Sequence, residues 1–454
     1  VSRRAFRSAA VTAALVLPAL VGLPVQGSQA AAPNTTRTPI RHLVVMTQEQ
    51  HSFDNIFGTR SGVDGIPKGV CLPAKVGSSL PCVAPFPLKA SRLRPALHAT
   101  AAAQLASVAN GRMNGFVQAQ TTTHNDGRGT MGYYRPNDLP VLTELAGQGV
   151  LFDRWFSSVP GGSIANRLFA VSGKAVPDTD RVPAAGWPDL PVIFDRLQAA
   201  GVSWKVYVEH YEPALTVSTA GPKALQGGQV ARVPLLALSR YERSKSLASH
   251  ITDLDTYFSD LASGGLPAVS WIVTTSSSER PPADPQTGQR EVRNLVNALG
   301  GSSAWPSSAF LLSYDTSGGW YDHVAPPTVR GAVLGLRVPA LLVSPYATPG
   351  RVEQAQFDSA SVLRFIETNW SVAPLTSRDA NATDLAAAMS LGSTPHSATI
   401  VGTSRPSPEP PIPNRLLIYA TYLTALLAVG LVVGWARLGR HQQTRSGEVL
   451  RDTA

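Results

Sequence analysis

Two carboxylates and one serine carry the first suggestion of chemistry in this chain. Glu49 follows the apolar run of LVVMTQEQHSFDNIFG, and Asp315 follows AFLLSY in the segment SYDTSGGWYDHVAPP. Both are hard oxygen donors of the kind that suits a divalent cation. Ser163 stands in SSVPGGSIANRLFAVSG, after a strand-like run and two glycines. Glycines there would let backbone amides turn toward an anion. A metal could lower the pKa of a coordinated serine and make it a nucleophile. Asn166 and Arg167 come next, and an arginine can fork onto phosphate oxygens or pair with a carboxylate inside the fold. Histidines add acid–base or ligand capacity: His98 opens an alanine-rich stretch, His323 sits in YDHV, and His42 and His51 flank the first apolar run. His42 is expected to satisfy a hydrogen bond at a strand start. Taken singly, each of these residues also fits a polar loop group or a helix cap.

The elements that must position them alternate along the chain. Ile40 to Thr47 reads as a buried strand, with β-branched residues in a compact apolar core. Residues 61 to 95 are rich in Gly, Pro and Ser and read as a long excursion. Leu97 to Gly111 reads as a helix. Asp138 to Val159 and Leu190 to Glu209 each read as a helix followed by a strand, with Gly201 as a helix stop. Leu266 to Thr274, Ala309 to Tyr314 and a part of Gly335 to Ala347 read as strands, and Ser359 to Trp370 as a late helix. This alternation predicts an α/β fold, a mostly parallel sheet with helices on both faces. In such sheets ligands bind beyond the carboxyl ends of the strands, where Glu49 and Asp315 fall.

The two ends read differently. Arg3, Arg4 and Arg7 precede an apolar stretch from Ala9 to Leu23 and small residues at Ala30 to Ala32, the pattern of an export signal over 1–32. SRRAF fits a twin-arginine signal and hence the twin-arginine export machinery, with a general secretory signal as the alternative. Leu416 to Ala436 holds no charge and, at about 1.5 Å per residue, predicts a transmembrane helix across a core of about 30 Å. A Pro-rich linker over 403–415 precedes it and a basic tail over 437–454 comes after it. The basic side would face the cytoplasm, so that a domain over 33–402 would sit on the extracytoplasmic side of a bacterial cell membrane, held by a single pass. Of the net charge of +9, the N-terminal head carries +3 and the tail +2, which leaves +4 for the domain. With no concentrated basic block there, nucleic acid is not an expected partner. Cys71 and Cys82 are the two cysteines, and outside the cytoplasm a local disulfide is the default.

Several ordered blocks add a resemblance. VVMTQEQHSFDNIFG, GRMNGFV, MGYYRPNDLPVLTELA, SVPGGSIANRLFAVSG, IFDRLQAAGVSWKVY, SYDTSGGWYDHVAPP and GLRVPALLVSPYA fall between Ile40 and Leu385. In these blocks the chain resembles the bacterial phosphoesterase family of non-haemolytic-type phospholipases C and a secreted acid phosphatase, related in fold to alkaline phosphatase and arylsulfatase. The resemblance implies an alkaline-phosphatase-like fold, a divalent metal ion, and a phosphate ester or phospholipid as substrate. It puts metal ligands at Glu49 and Asp315, a nucleophile at Ser163, and assisting histidines at His98 and His323. Phosphate-binding groups fall at Gln50, Asn166, Arg167 and Arg280. Five positions depart from the family pattern: Gln50 stands for an asparagine, His51 for an arginine, Thr316 for a second acid, and Arg280 and Ser359 each for a histidine. Hydrolysis of phosphoric esters through a serine nucleophile is therefore the leading expectation. A catalytically degenerate phosphate- or phospholipid-binding protein with the same fold is the alternative, and action on a sulfate ester is a weaker third.

Overall fold

The computed structural model describes residues 35–74, 82–88, 97–402, 419, 422–431 and 435. The chain divides into two units, Val1–Thr35 and Thr36–Ala454. Of the first only Thr35 is described, and the sheet and its helices belong to the second.

Eight strands form the main sheet: β1 (His42–Gln48), β2 (Val150–Phe152), β3 (Trp204–Val208), β4 (Ile251–Asp253), β5 (Val269–Val273), β6 (Ser308–Tyr314), β7 (Ala340–Val343) and β8 (Arg351–Glu353). Their order is β4-β3-β5-β1-β6-β7-β2-β8. The sheet is mixed, because β7 runs antiparallel to both β6 and β2, while every other pairing is parallel. This is consistent with the alkaline-phosphatase-like topology implied by the resemblance.

Side-chain alternation along β1 shows why both faces need cover. Leu43 and Val45 join one apolar cluster, while Val44 and Met46 join another on the opposite face. The first cluster takes Leu168, Phe194, Leu197, Leu363 and Ile366 from three helices, α4 (Ser163–Ser172), α5 (Ile193–Ala199) and α8 (Ser359–Asn369). The second takes Phe53 and Phe57 from α1 (Phe53–Phe57), Leu142 and Leu145 from α3 (Pro140–Gln148), Tyr257 and Leu261 from α6 (Asp255–Ser263), and Val292, Leu295 and Leu299 from α7 (Pro285–Gly300). Each such fully buried side chain contributes about 1.5–3 kcal/mol relative to exposure. Between α1 and α3 lies α2 (Ala101–Val108), opened by Thr100, whose hydroxyl accepts from the Ala103 N–H at 3.2 Å. Gly201 lies just after α5 at φ +67°, the left-handed position that ends a helix. Cys71 and Cys82 form the expected disulfide, with Cα atoms 5.4 Å apart. It closes the hairpin of Leu72–Pro73 with Cys82–Val83.

The expected membrane span is corrected. Among the described residues, no helix is long and apolar enough to cross a membrane. The single-pass anchor, the membrane as a partner and the placement of the domain outside a cell membrane all rested on that span, and none has support in the structure. The export signal over 1–32 with its twin arginines, the linker over 403–415 and the tail over 437–454 lie outside the described residues, and the structure lends them no support either.

Two glycines draw separate segments together above the sheet. Gly318 has φ +65°, and a Cβ there would lie 2.3 Å from the Gln50 carbonyl oxygen. Gly319 has φ +87°, and a Cβ there would lie 2.8 Å from the His98 carbonyl oxygen. The TSGG turn therefore holds the Gln50 and His98 backbones close, which a side chain at either position would prevent. Gly318→Ala is expected to cost about 2 kcal/mol or more, from strain and collision together. Gly331→Ala, at φ +81° in open space, should show only the conformational cost of about 1 kcal/mol. Urea midpoints check this, and equal losses in the two variants would refute the packing role of Gly318.

Candidate active site

The parallel register of β1 and β6 pairs Gln48 with Tyr314. The next residues, Glu49 and Asp315, therefore leave the sheet side by side at the carboxyl ends of neighbouring strands. Both carboxylates are buried. Arg167 lies between them: Nε is 3.0 Å from Asp315 Oδ2, and Nη2 is 3.0 Å from Glu49 Oε1. The second contact is an ion pair without a well-aligned hydrogen bond, since Nη2 has no hydrogen-bond partner. Arg232 Nη1 lies 3.0 Å from Glu49 Oε2, which also accepts from the Ser278 hydroxyl. Asp315 Oδ1 accepts from the Gln50 N–H at 3.1 Å. Burial opposes ionisation of Glu49, but Arg167, Arg232, Ser278 and Arg280 outweigh it and hold its pKa below the ordinary value. At Asp315 burial prevails over Arg167, and the neighbouring charge of Glu49 adds to the rise.

Ser163 is the first residue of α4, after Gly162, and no side chain caps that helix. Its hydroxyl accepts from Gln50 Nε2 at 3.3 Å, and its proximity to Asp315 works against the rise in that carboxyl's pKa. Ser163 and Gln50 line a cavity of about 240 Å³ together with His98 and Arg280. Four residues singled out in separate segments thus meet around one space. Gln50 sits there at φ +61°, a rare conformation for a residue with a side chain, made possible by the close fit against Gly318. His98 is exposed at the cavity edge, and its backbone is fixed by Gln120, which accepts from its N–H at 2.6 Å and donates to its carbonyl at 2.9 Å. Arg280 is half-buried. Among the described residues its guanidinium makes no hydrogen bond or ion pair. Asp178 completes one wall, accepting from the N–H groups of Gly162 and Ala101 at 2.8 and 2.7 Å.

Other expected residues lie elsewhere. Asn166 does not line the cavity, because its amide holds the preceding loop: Oδ1 accepts from the Val159 N–H, and Nδ2 donates to the carbonyls of Val159 and Gly162. Arg167 is likewise turned to the carboxylates. Thr316, at the position where the resemblance expects a second acid, donates its hydroxyl to the Gly161 carbonyl at 3.0 Å. His51 is buried between Asn55 Oδ1 and the Glu279 carbonyl and stacks on Trp320. His42 meets the Pro267 carbonyl at 3.0 Å, as a strand-start group would.

His323 belongs to a second cluster. Its Nδ1 lies 2.8 Å from Asp54 Oδ2, and its Nε2 lies 2.9 Å from Asp64 Oδ1. Burial disfavours the charged ring, but the hydrogen bond to Asp54 and the charges of Asp54 and Asp322 prevail and raise its pKa to about 9. Asp54, Asp322 and His323 bring ligand atoms within 4.8 Å of one another, a cluster compatible with a metal-binding site. Arg337, fully buried, stands among these groups, with Nη2 3.1 Å from Asp54, Nε 3.1 Å from Asp322 and Nη1 3.3 Å from Asp153. A cation there would share the carboxylates with this guanidinium. Glu49 and Asp315 fit a divalent ion less well as arranged, since each of their four oxygens is already held by a guanidinium, amide or hydroxyl donor.

Arg232 stands in no motif, and sequence reasoning had no signal for it; Arg337 lies in the GLRVPALLVSPYA block but was not singled out. Asp54 did have a signal, as the last residue of the QEQHSFD block.

A family model described as the Phosphoesterase family matches residues 40–373. The chain is 28% identical to Phospholipase C B of Mycobacterium tuberculosis, over 91% of this chain and 89% of that protein. It is 27% identical to the non-hemolytic phospholipase C of Pseudomonas aeruginosa, over 73% of this chain and 54% of that protein. Among solved structures, a protein in the alkaline phosphatase superfamily from Vibrio parahaemolyticus aligns over 76% of this chain and 71% of its own, at 11% identity and a TM-score of 0.36.

Behind the cavity wall, Glu279 is a carboxyl with no cation beside it. It is fully buried; the Tyr314 hydroxyl donates to Oε2, and Oε1 has no partner. Burial raises its pKa, the Tyr314 bond opposes the rise, and Asp284 adds to it, with the result at about 8. The unfolded chain releases this proton near the ordinary value of 4.5 and the folded chain near 8. The stability it contributes is therefore full below the lower value and is lost as pH rises toward the upper. Thermal midpoints between about pH 5 and pH 8 should fall less in Glu279→Gln than in the parent chain. Parallel curves would refute the assignment.

Proposed function

The chain belongs to the phosphoesterase family, and from that premise we propose that it hydrolyses phosphoric esters with Ser163 as the nucleophile. Family membership over residues 40–373 and the Asp54, Asp322 and His323 cluster support a metal-assisted hydrolase of phosphoesterase type. The observation that carries the finer reading is the position of the Ser163 hydroxyl. It opens a helix, borders a cavity, and accepts from the side chain of Gln50, whose backbone N–H is bound to the buried Asp315.

In this reading Ser163 Oγ attacks phosphorus and Asp315 accepts its proton. The oxygen–phosphorus bond to the leaving group breaks as the bond to Oγ forms. His98, at the cavity edge, supplies a proton to the leaving oxygen. Gln50 and the first amides of α4 face the charge that develops on the phosphoryl oxygens. Water then cleaves the phosphoserine ester. A bound metal ion would contribute Lewis-acid polarisation of a phosphoryl group. His323 has no part in these steps, because both of its ring nitrogens are occupied by Asp54 and Asp64. Two relatives named as phospholipases C support a phospholipid phosphodiester as substrate. A soluble monoester is the other member of the same substrate class.

Hydrolysis of an aryl phosphate monoester, an aryl phosphodiester and a short-chain phosphatidylcholine tests the reading. Turnover of at least one is expected, lowered about a thousandfold or more in Ser163→Ala. No turnover by the folded chain, or equal rates in the variant, would overturn it and favour a binding protein with the same fold.

A further inference from the structure

We infer that the positive charge facing a phosphate in the Ser163 cavity is carried by Arg280, and not by a metal ion held between Glu49 and Asp315. The inference rests on the reading of this cavity as a phosphoester site and concerns how that site holds its anion.

Three features carry it. The first is the state of the carboxylates. Arg167 binds one oxygen of each, Arg232 and Ser278 bind the second oxygen of Glu49, and the Gln50 N–H binds the second oxygen of Asp315. A cation would have to displace the buried Arg167 and the part-buried Arg232 from the carboxylates they pair with, and a buried guanidinium left without its counter-charge is strongly disfavoured. The second is the neutral Thr316 beside Asp315. Its hydroxyl is turned to the Gly161 carbonyl and braces the loop ahead of Ser163, so it adds no charge toward a cation. The third is the balance that results. Glu49 and Asp315 together offset Arg167 and Arg232, and Arg280 is the surplus over these; Asp178 and Asp180 also line the cavity, where Asp178 is held by the N–H groups of Gly162 and Ala101 and Asp180 pairs with Arg181.

Arg280 is placed to use that surplus. Its N–H donates to Ser278 Oγ at 3.1 Å, and the Ser278 hydroxyl is in turn bound to Glu49. The carboxylate framework therefore fixes the backbone from which Arg280 enters the cavity. Pro281 comes next and stiffens the exit. The guanidinium has no partner among the described residues, and it shares the cavity with Ser163 and Gln50. A planar fork of N–H donors of this kind suits a tetrahedral oxyanion, which it can bind bidentately. The ligand class is inorganic phosphate or the phosphoryl group of an ester.

Calorimetric titration of the full chain with orthophosphate in the presence of a chelator tests this. Binding is expected without added metal, weakened about tenfold or more in Arg280→Gln and partly restored in Arg280→Lys. Binding that appears only after a divalent ion is added would overturn the inference, and so would unchanged binding in a folded Arg280→Gln protein. Absence of turnover with phosphate binding intact would remove the hydrolase reading and leave this inference standing.

Discussion

The placement of one guanidinium governs the upper edge of this sheet. The register of β1 against β6 forces Glu49 and Asp315 together in a buried setting, and two adjacent carboxylates cannot both stay ionised there without a cation. Arg167 supplies it. Ser163 and Arg167 are four residues apart on α4, hence on the same face of the helix. The ion pair that neutralises the carboxylates therefore also sets the rotation of the helix and turns the face that carries Ser163 toward them. The serine is positioned by electrostatics at its own helix's second turn, and no separate device is needed to aim it.

The same solution recurs around Arg337. Asp54, Asp153 and Asp322 come from α1, from the end of β2 and from the YDHV segment, and one buried guanidinium joins all three while lying 4.3 Å over the Phe53 ring. That second knot fixes the start of α1, directly after Gln50. Glycines complete the arrangement, because Gly318 and Gly319 let the TSGG turn press against the Gln50 and His98 backbones. The cavity is thus bounded by segments far apart in the chain, each anchored by charge pairing or by backbone contact, and apolar packing of the sheet supplies the floor.

How much of this could be read beforehand depended on the range of the interaction. Strands such as β1 and β6 announce themselves by short apolar runs, and the positions just after them, Glu49 and Asp315, follow from sheet geometry alone. Ser163, Gln50, His98 and Arg280 were legible as separate residues, and the resemblance indicated their roles, but their convergence depends on register and loop closure that no local pattern encodes. The partners of the carboxylates were harder. Arg232 sits in a loop-rich segment with no motif, and Asn166 has the same appearance whether it binds a ligand or, as here, its own loop. Helix α7 was missed because its exposed face is polar. Asp284 capping Pro285, followed by Val292, Leu295, Val296 and Leu299 at helical spacing, was the available signal. The apolar stretch after Leu416 predicted a membrane span, and among the described residues no helix is long and apolar enough to be one.

The central claim is that Ser163, at the start of the helix whose Arg167 pairs with Glu49 and Asp315, is the group that takes the phosphoryl from a substrate. Rapid acid quench during turnover of an aryl phosphate, followed by peptide mass spectrometry, addresses it directly. A phosphoryl group on the peptide beginning the α4 helix, localised to Ser163, is the expected result. A phosphoryl group on another residue, or turnover with no covalent adduct at any quench time, would contradict it.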